Sequence, residues 1–152
     1  MLRPLDEADL DRVAAIERAA FTDPWSRRAF EELLAEPHVR AVAVDGDDGR
    51  LAGYALFSLV VGEGEILNLA VDPSARRRGL GRRLLEGVLG AMRAAGTTAV
   101  FLEVRQSNRA AIELYAGAGF RPVSIRRRYY RNPTEHAVTM ALQLAPEGAG
   151  KR

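Results

Sequence analysis

The chain of 152 residues contains no cysteine, which excludes disulfides, thiolate zinc sites and a cysteine nucleophile. Histidine is nearly absent as well. Only His38 and His136 offer imidazole, so neither a histidine-rich metal centre nor a Ser-His-Asp triad is expected, and no metal is assigned. Lysine occurs once, as Lys151, among 22 basic residues, which leaves acid–base chemistry to carboxylates and tyrosines. No apolar run approaches the roughly 20 residues that a membrane helix requires. The opening stretch MLRPLDEADLDRV carries acids where a signal peptide carries bases followed by an apolar segment. A cytoplasmic protein with no membrane partner is expected.

Hydrophobic residues make up 47% of the chain and charged residues 28%, the balance of a folded domain rather than a disordered one. One domain is expected over residues 1–145, with 146–152 as an unpatterned, frayed tail. The net charge is only +2, but arginines cluster at Arg76-Arg77-Arg78 with Arg82-Arg83, and at Arg126-Arg127-Arg128 with Arg131. Such runs are either solvated surface or contacts to phosphate or nucleic acid. Because nucleic-acid binders usually carry a larger positive excess, no nucleic-acid partner is expected.

Periodicity and punctuation give an order of βααβββαβαββ in one mixed sheet with helices on both faces, an α/β fold. Met1 to Leu5 reads as a strand, and Asp6 caps a helix bearing Leu10, Val13, Ala14, Ile16, Glu17, Ala20 and Phe21. Ser26 caps a second helix, which stops before Pro37. Strands follow over Val39–Val44 and Leu51–Val61; Gly62-Glu63-Gly64 is read as a turn, and Glu65–Val71 as the next strand. Leu80, Leu84, Leu85, Val88, Leu89 and Met92 define one face of a long helix ending at Gly96. Ala99-Val100-Phe101-Leu102 is a continuous apolar run, as expected of a strand covered on both faces. A short helix over Asn108–Ala118 and two strands, near Phe120–Arg127 and Ala137–Leu144, complete the pattern.

The informative centre is Ile66-Leu67-Asn68-Leu69-Ala70-Val71-Asp72-Pro73, followed by Arg76-Arg77-Arg78-Gly79-Leu80-Gly81. A strand runs into a glycine-containing turn that opens onto the long helix. The first amides of a helix lack carbonyl partners and carry the positive end of its dipole. Glycine there lets backbone approach an anion such as a pyrophosphate. The P-loop pattern fails for want of a lysine followed by serine or threonine, and G-x-G-x-x-G fails at Leu84. Glycines before a helix also serve ordinary tight turns.

R-x-x-G-x-G at Arg76 to Gly81, after the strand ending Val71-Asp72-Pro73, resembles the coenzyme A pyrophosphate loop of the GNAT superfamily of N-acetyltransferases. Glu103-Val104-Arg105, Ser107-Asn108, Ala111, Leu114-Tyr115, Gly119-Phe120, Pro24-Trp25-Ser26 and Tyr129-Tyr130 recur with the spacing of its RimI-type members. The resemblance runs from about Leu2 to Leu144. It implies acetyl-coenzyme A as co-substrate and direct transfer to an amine in a ternary complex. It places Leu69, Ala70 and Val71 along the pantetheine arm, with one of their amides on the thioester carbonyl. It also places the amides from Arg77 to Arg82 on the pyrophosphate, within the loop Arg76, Arg77, Arg78, Gly79, Leu80, Gly81 and Arg82.

Asn68 suits either a bulge beside that arm or a hydrogen bond inside the sheet. Glu103 is either an exposed glutamate at a strand end or, as the resemblance implies, the general base. Tyr115 at helical spacing is either core or the implied acid that protonates the departing thiolate. Asn108 is read as an N-cap, and the resemblance implies that it also contacts coenzyme A. Trp25, Tyr129 and Tyr130 are implied to frame the acceptor, which in RimI-type enzymes is the N-terminal alanine of a small-subunit ribosomal protein. The chain departs from the family after Tyr130, where His136 follows Glu135 in place of a second acid. Two other readings stay open: a GNAT enzyme for a small amine, and a non-catalytic domain that senses coenzyme A or binds nucleic acid.

Overall fold

The computed structural model describes residues 2–60, 62–76 and 78–144. The expected tail, 146–152, and Arg77 lie outside the described residues. Seven strands form one sheet: β1 (Leu2–Pro4), β2 (Val39–Asp45), β3 (Leu51–Val60), β4 (Glu63–Val71), β5 (Ala99–Arg105), β6 (Arg121–Tyr130) and β7 (Glu135–Gln143). Their spatial order is β1-β2-β3-β4-β5-β7-β6. Only β4 and β5 run parallel. The crossover between them holds the long helix α3 (Leu80–Ala94), while α1 (Leu10–Ala20), α2 (Arg27–Leu34) and α4 (Arg109–Gly117) complete the helices. This is the expected mixed sheet, in the expected order.

Local chemistry sets the element ends. Asp6 caps a single 3₁₀ turn, Glu7–Asp9, rather than α1 directly: its side chain accepts from the Ala8 amide at 2.9 Å, and Asp9 accepts from the Asp6 amide at 2.9 Å. Ser26 accepts from the Ala29 amide at 3.1 Å and starts α2. Gly62 turns the chain with φ of 77°, but Glu63 and Gly64 already belong to β4. At Gly64 a Cβ would sit 2.8 Å from Met92 Cε, so this strand glycine lets α3 pack onto the sheet.

Two apolar layers enclose the sheet. On one face α3 buries Leu84, Leu85, Val88, Leu89 and Met92 against Phe57, Ile66, Val100, Leu102 and Met140, each large side chain contributing about 1.5–3 kcal/mol. On the other, α1 and α2 bring Leu10, Val13, Ile16 and Phe30 onto Ala43, Tyr54, Leu56 and Ala70. The second layer does not reach β5. Its residues alternate, with Val100, Leu102 and Val104 buried and Ala99, Phe101, Glu103 and Arg105 half-buried. The sequence expectation of a strand covered on both faces is thereby corrected, and Glu103 lies inside β5 rather than at its tip.

Candidate active site

The sheet opens at its centre. β4 and β5 pair only from Glu63↔Ala99 to Ile66↔Leu102. Beyond Ile66, β4 continues against β3 to Val71↔Gly53, whereas β5 continues against β7 to Arg105↔Ala137. The divergence begins at a bulge: Leu56 pairs with Asn68, Phe57 pairs with Ile66, and Leu67 is the extra residue. Both Leu67 and Asn68 consequently turn toward α1, Leu67 packing beside its core and Asn68 reaching Glu17.

Backbone alternation decides which amides face the opening. The Asp72 amide donates to the Ala52 carbonyl at 2.7 Å, so the alternate residue Ala70 is bonded to Tyr54 across the same ladder. Leu69 and Val71 direct their N–H groups the other way, into the gap left by β5. Ala70 differs from the expectation for all three residues: its side chain is buried beside α1 and its backbone is occupied by β3.

Just past β4, Asp72 accepts from the Ser74 amide and hydroxyl, each at 3.0 Å, and from Arg12. Those hydrogen bonds, chiefly the Ser74 amide, hold its carboxyl below the ordinary value. Gly79 precedes α3 with φ of 75° and no capping side chain, a conformation that favours glycine. A Cβ there would meet nothing within 4 Å, so the turn lies open. The first α-helical bond runs from the Arg83 amide to the Gly79 carbonyl at 3.0 Å, which leaves the Leu80, Gly81 and Arg82 amides without intrahelical partners. The Leu80 side chain is core, whereas Arg76, Arg78 and Arg82 are exposed. Arg78 reaches Asp47 at 3.3 Å and Arg82 reaches Glu86 at 3.4 Å.

A cleft of about 290 Å³ occupies the opening. Its wall includes Trp25, Asn68, Leu69, Glu103, Asn108, Tyr115 and Tyr130, which gathers site residues from four elements, β4, β5, α4 and β6, and two loops. Glu103 Oε1 accepts from Arg126 Nη1 at 2.8 Å, while its buried Oε2 has no partner among the described residues. Glu65 pairs with Phe101 and so shares the face of Glu103; burial and the neighbouring Glu103 charge push its pKa upward. Tyr115 packs edge-on to Phe120 at 5.6 Å and still lines the cleft, so a core side chain also reaches the opening. Burial, with a smaller contribution from Tyr130, raises its pKa, and the Tyr130 phenol is pushed up to about 12, mainly by burial. Asn108 accepts from the Ala111 amide at 3.1 Å, an N-cap at the cleft wall.

The aromatic frame is partly as expected. Trp25 packs against Phe30 with ring centroids 5.4 Å apart and planes tilted by 55°, and it reaches the cleft, as does Tyr130. Tyr129 is not on the wall: it is 49% exposed, its ring 5.1 Å from that of Tyr130 and 4.6 Å from the Arg126 guanidinium. His136, the departure from the family pattern, bonds the backbone of β6. Its Nδ1 accepts from the Arg128 amide at 3.0 Å, supporting a residue whose φ is 53°.

Sequence reasoning missed three residues. Arg126 was read only as part of a basic run. Arg105 binds the Arg131 carbonyl at 2.6 Å, the Pro133 carbonyl at 3.0 Å and Glu135 at 3.3 Å, and lies 4.6 Å from the Tyr130 ring. Glu17, on the apolar face of α1, is 2% exposed and accepts hydrogen bonds from Tyr54, Asn68 and the Trp25 amide. A carboxylate within an apolar stripe was the available signal.

Known proteins share this architecture. The Salmonella typhimurium ribosomal protein bS18-alanine N-acetyltransferase is 39% identical over 143 residues, covering 93% of this chain and 95% of that protein. The Mycobacterium tuberculosis N-alpha-acetyltransferase RimI is 42% identical over 142 residues, covering 90% and 87%. The crystal structure of the ribosomal-protein-S18-alanine N-acetyltransferase from Escherichia coli superposes with a TM-score of 0.87 at 36% identity, covering 97% of each chain. A family model described as the acetyltransferase (GNAT) family matches residues 10–120. The chain belongs to the GNAT family of acetyltransferases.

Proposed function

We propose that this enzyme transfers the acetyl group of acetyl-coenzyme A to the N-terminal α-amine of a protein, with the N-terminal alanine of a small-subunit ribosomal protein as its acceptor. The observation that carries the reading is the opening between β4 and β5. It leaves the Leu69 and Val71 amides clear of β3 and puts Leu69 on the same cleft wall as a carboxylate, Glu103, whose buried Oε2 has no partner among the described residues. The residues fit the co-substrate: unbonded amides at the start of α3 suit a pyrophosphate, and the strand gap suits an amide-bearing arm. The identity to bS18-alanine N-acetyltransferases over most of both chains supports the acceptor.

In this reading the Leu69 or Val71 amide donates to the thioester carbonyl and stabilises negative charge as it develops there. The amine attacks that carbon, forming the C–N bond while the C–S bond breaks. Glu103 Oε2 takes the proton lost by the amine. An N-terminal amine has a pKa of about 7.7–8.0, so only modest basicity is needed. Tyr115, kept as a phenol by burial, donates a proton to the departing thiolate. With no cysteine in the chain, attack is direct. Holding both substrates together supplies up to about 7–11 kcal/mol. Trp25 and Tyr130 line the slot for the first acceptor residues, and Arg76, Arg78 and Arg82 surround the phosphates.

The test is mass spectrometry of a library of N-terminal peptides, with small amines in parallel, after incubation with acetyl-coenzyme A. Acetylation of alanine-initiated peptides, the ribosomal one foremost, is expected. Preferential modification of the small amines would overturn the acceptor assignment.

A further inference from the structure

Glu17 sits among Leu10, Val13 and Ile16 on the buried side of α1. A carboxylate there is costly unless it is fully paired, and an apolar side chain would fill the space without that cost. Its pairing is specific. Tyr54 Oη and Asn68 Nδ2 donate to Oε1 at 2.6 and 2.8 Å, and the Trp25 amide donates to Oε2 at 3.0 Å. All three partners are donors, so an ionised carboxylate, which only accepts, satisfies each of them. Burial, and then the charge of Glu17, push the Tyr54 phenol far upward, which keeps it a donor.

Two of these partners belong to different segments of the cleft wall. Asn68 is the bulge residue next to Leu69, whose amide faces the gap. Trp25 follows Pro24 in the loop between α1 and α2, and both line the cleft. Tyr54, the third, anchors the cluster to the middle of β3.

We infer that Glu17 is a positioning residue for acetyl transfer: through Asn68 it fixes the bulge that aims the Leu69 amide, and through the Trp25 amide it fixes the acceptor loop against the same point. This rests on the acetyltransferase reading given above and adds to it a mechanical link between the two substrate walls. A small misplacement of either wall lowers the rate steeply, because oriented donors act only at the position where charge develops.

The two arms have separate signatures. In Glu17→Gln the side-chain carbonyl can still serve Tyr54 and Asn68, but an NH₂ then faces the Trp25 amide and frees the loop. Peptide KM is expected to rise about fivefold or more, with KM for acetyl-coenzyme A within about twofold. In Asn68→Ala the loop arm survives and the bulge is released, so kcat is expected to fall about tenfold with both KM values little changed. Ile16→Val loosens the same helix without touching the cluster and serves as the structural control, all three being assayed well below their Tm. The inference is overturned if both variants match Ile16→Val in kcat and both KM values per folded molecule. If Glu17→Gln does not fold, Asn68→Ala alone decides it. Failure of the parent enzyme to acetylate any peptide would instead defeat the proposed function.

Discussion

Arg126 holds one oxygen of Glu103 at 2.8 Å and leaves the other, buried, without a partner among the described residues. Buried acceptors without a partner are rare, and in the function proposed above the incoming amine supplies the missing N–H. Replacing Glu103 with Gln is expected to lower kcat about 100-fold, within the usual range for a general base. Calorimetry should find the Kd for acetyl-coenzyme A within about twofold of the parent, because the pyrophosphate turn is untouched. An unchanged kcat would remove Glu103 from the chemistry.

Tyr115 gives a second expectation, with its pH dependence. Burial first, and Tyr130 second, hold its pKa above that of an ordinary phenol, so the hydroxyl stays protonated across the working range. Tyr115→Phe should therefore lower kcat by about tenfold or more while leaving the shape of the alkaline limb as it was. A limb present in the parent and abolished in the variant would contradict the raised value.

Arg105 ties the turn between β6 and β7 to the cleft by gripping the Arg131 and Pro133 carbonyls while lying over Tyr130. A lysine has one ammonium where this site uses a planar fork. Steady-state kinetics of Arg105→Lys are expected to show peptide KM raised several-fold, with KM for acetyl-coenzyme A within about twofold. Equal changes in both constants would argue for general loosening instead.

The legibility of the molecule varied with the range of the interactions. The α3 stripe of Leu84, Leu85, Val88 and Met92 was plain, because a period of 3.6 is local. Ser26 and Asn108 were readable as caps, since each bonds an amide three residues ahead. Asn68 announced the bulge as a polar residue in an apolar strand. Glu17 stood out in the same way, as a carboxylate in an apolar stripe, but its role did not: its partners Tyr54 and Asn68 stand 37 and 51 positions away, and nothing local brings them together. The pair Tyr129-Tyr130 failed for a related reason. The two rings touch, 5.1 Å apart, yet only Tyr130 reaches the cleft wall, because the register of β6 on β7 is interrupted between Arg126 and Tyr130, which no local pattern reveals. Ala99-Val100-Phe101-Leu102 misled because apolar content does not reveal where the second helical layer stops.

Asp72 links the pyrophosphate turn to acid stability. Its folded carboxyl is held below the ordinary value, mainly by the Ser74 amide and then by the Ser74 hydroxyl and Arg12. A depressed folded pKa contributes stability above the unfolded value, about 3.9, and loses it as pH falls through the folded value. Scanning calorimetry should find the parent about 2–4 °C more stable than Asp72→Asn near pH 7, the shift for roughly 1 kcal/mol at this size. That margin should shrink below about pH 4. A margin that stayed constant down to pH 2 would mean the ionised form is not what matters.

The parting of β4 from β5 also has a cost for the protein in isolation. Past Ile66 and Leu102 each strand presents an inner rim of backbone groups that the other no longer ties down, so the middle of the molecule resists fraying less than its continuous sheet suggests. On the function proposed above, an acetyl donor lodged in that fork bridges both rims, and at one hundred times its Kd it adds about 2.7 kcal/mol to the folded state. On that reading the endurance of the enzyme, and not only its turnover, is coupled to the supply of acetyl donor.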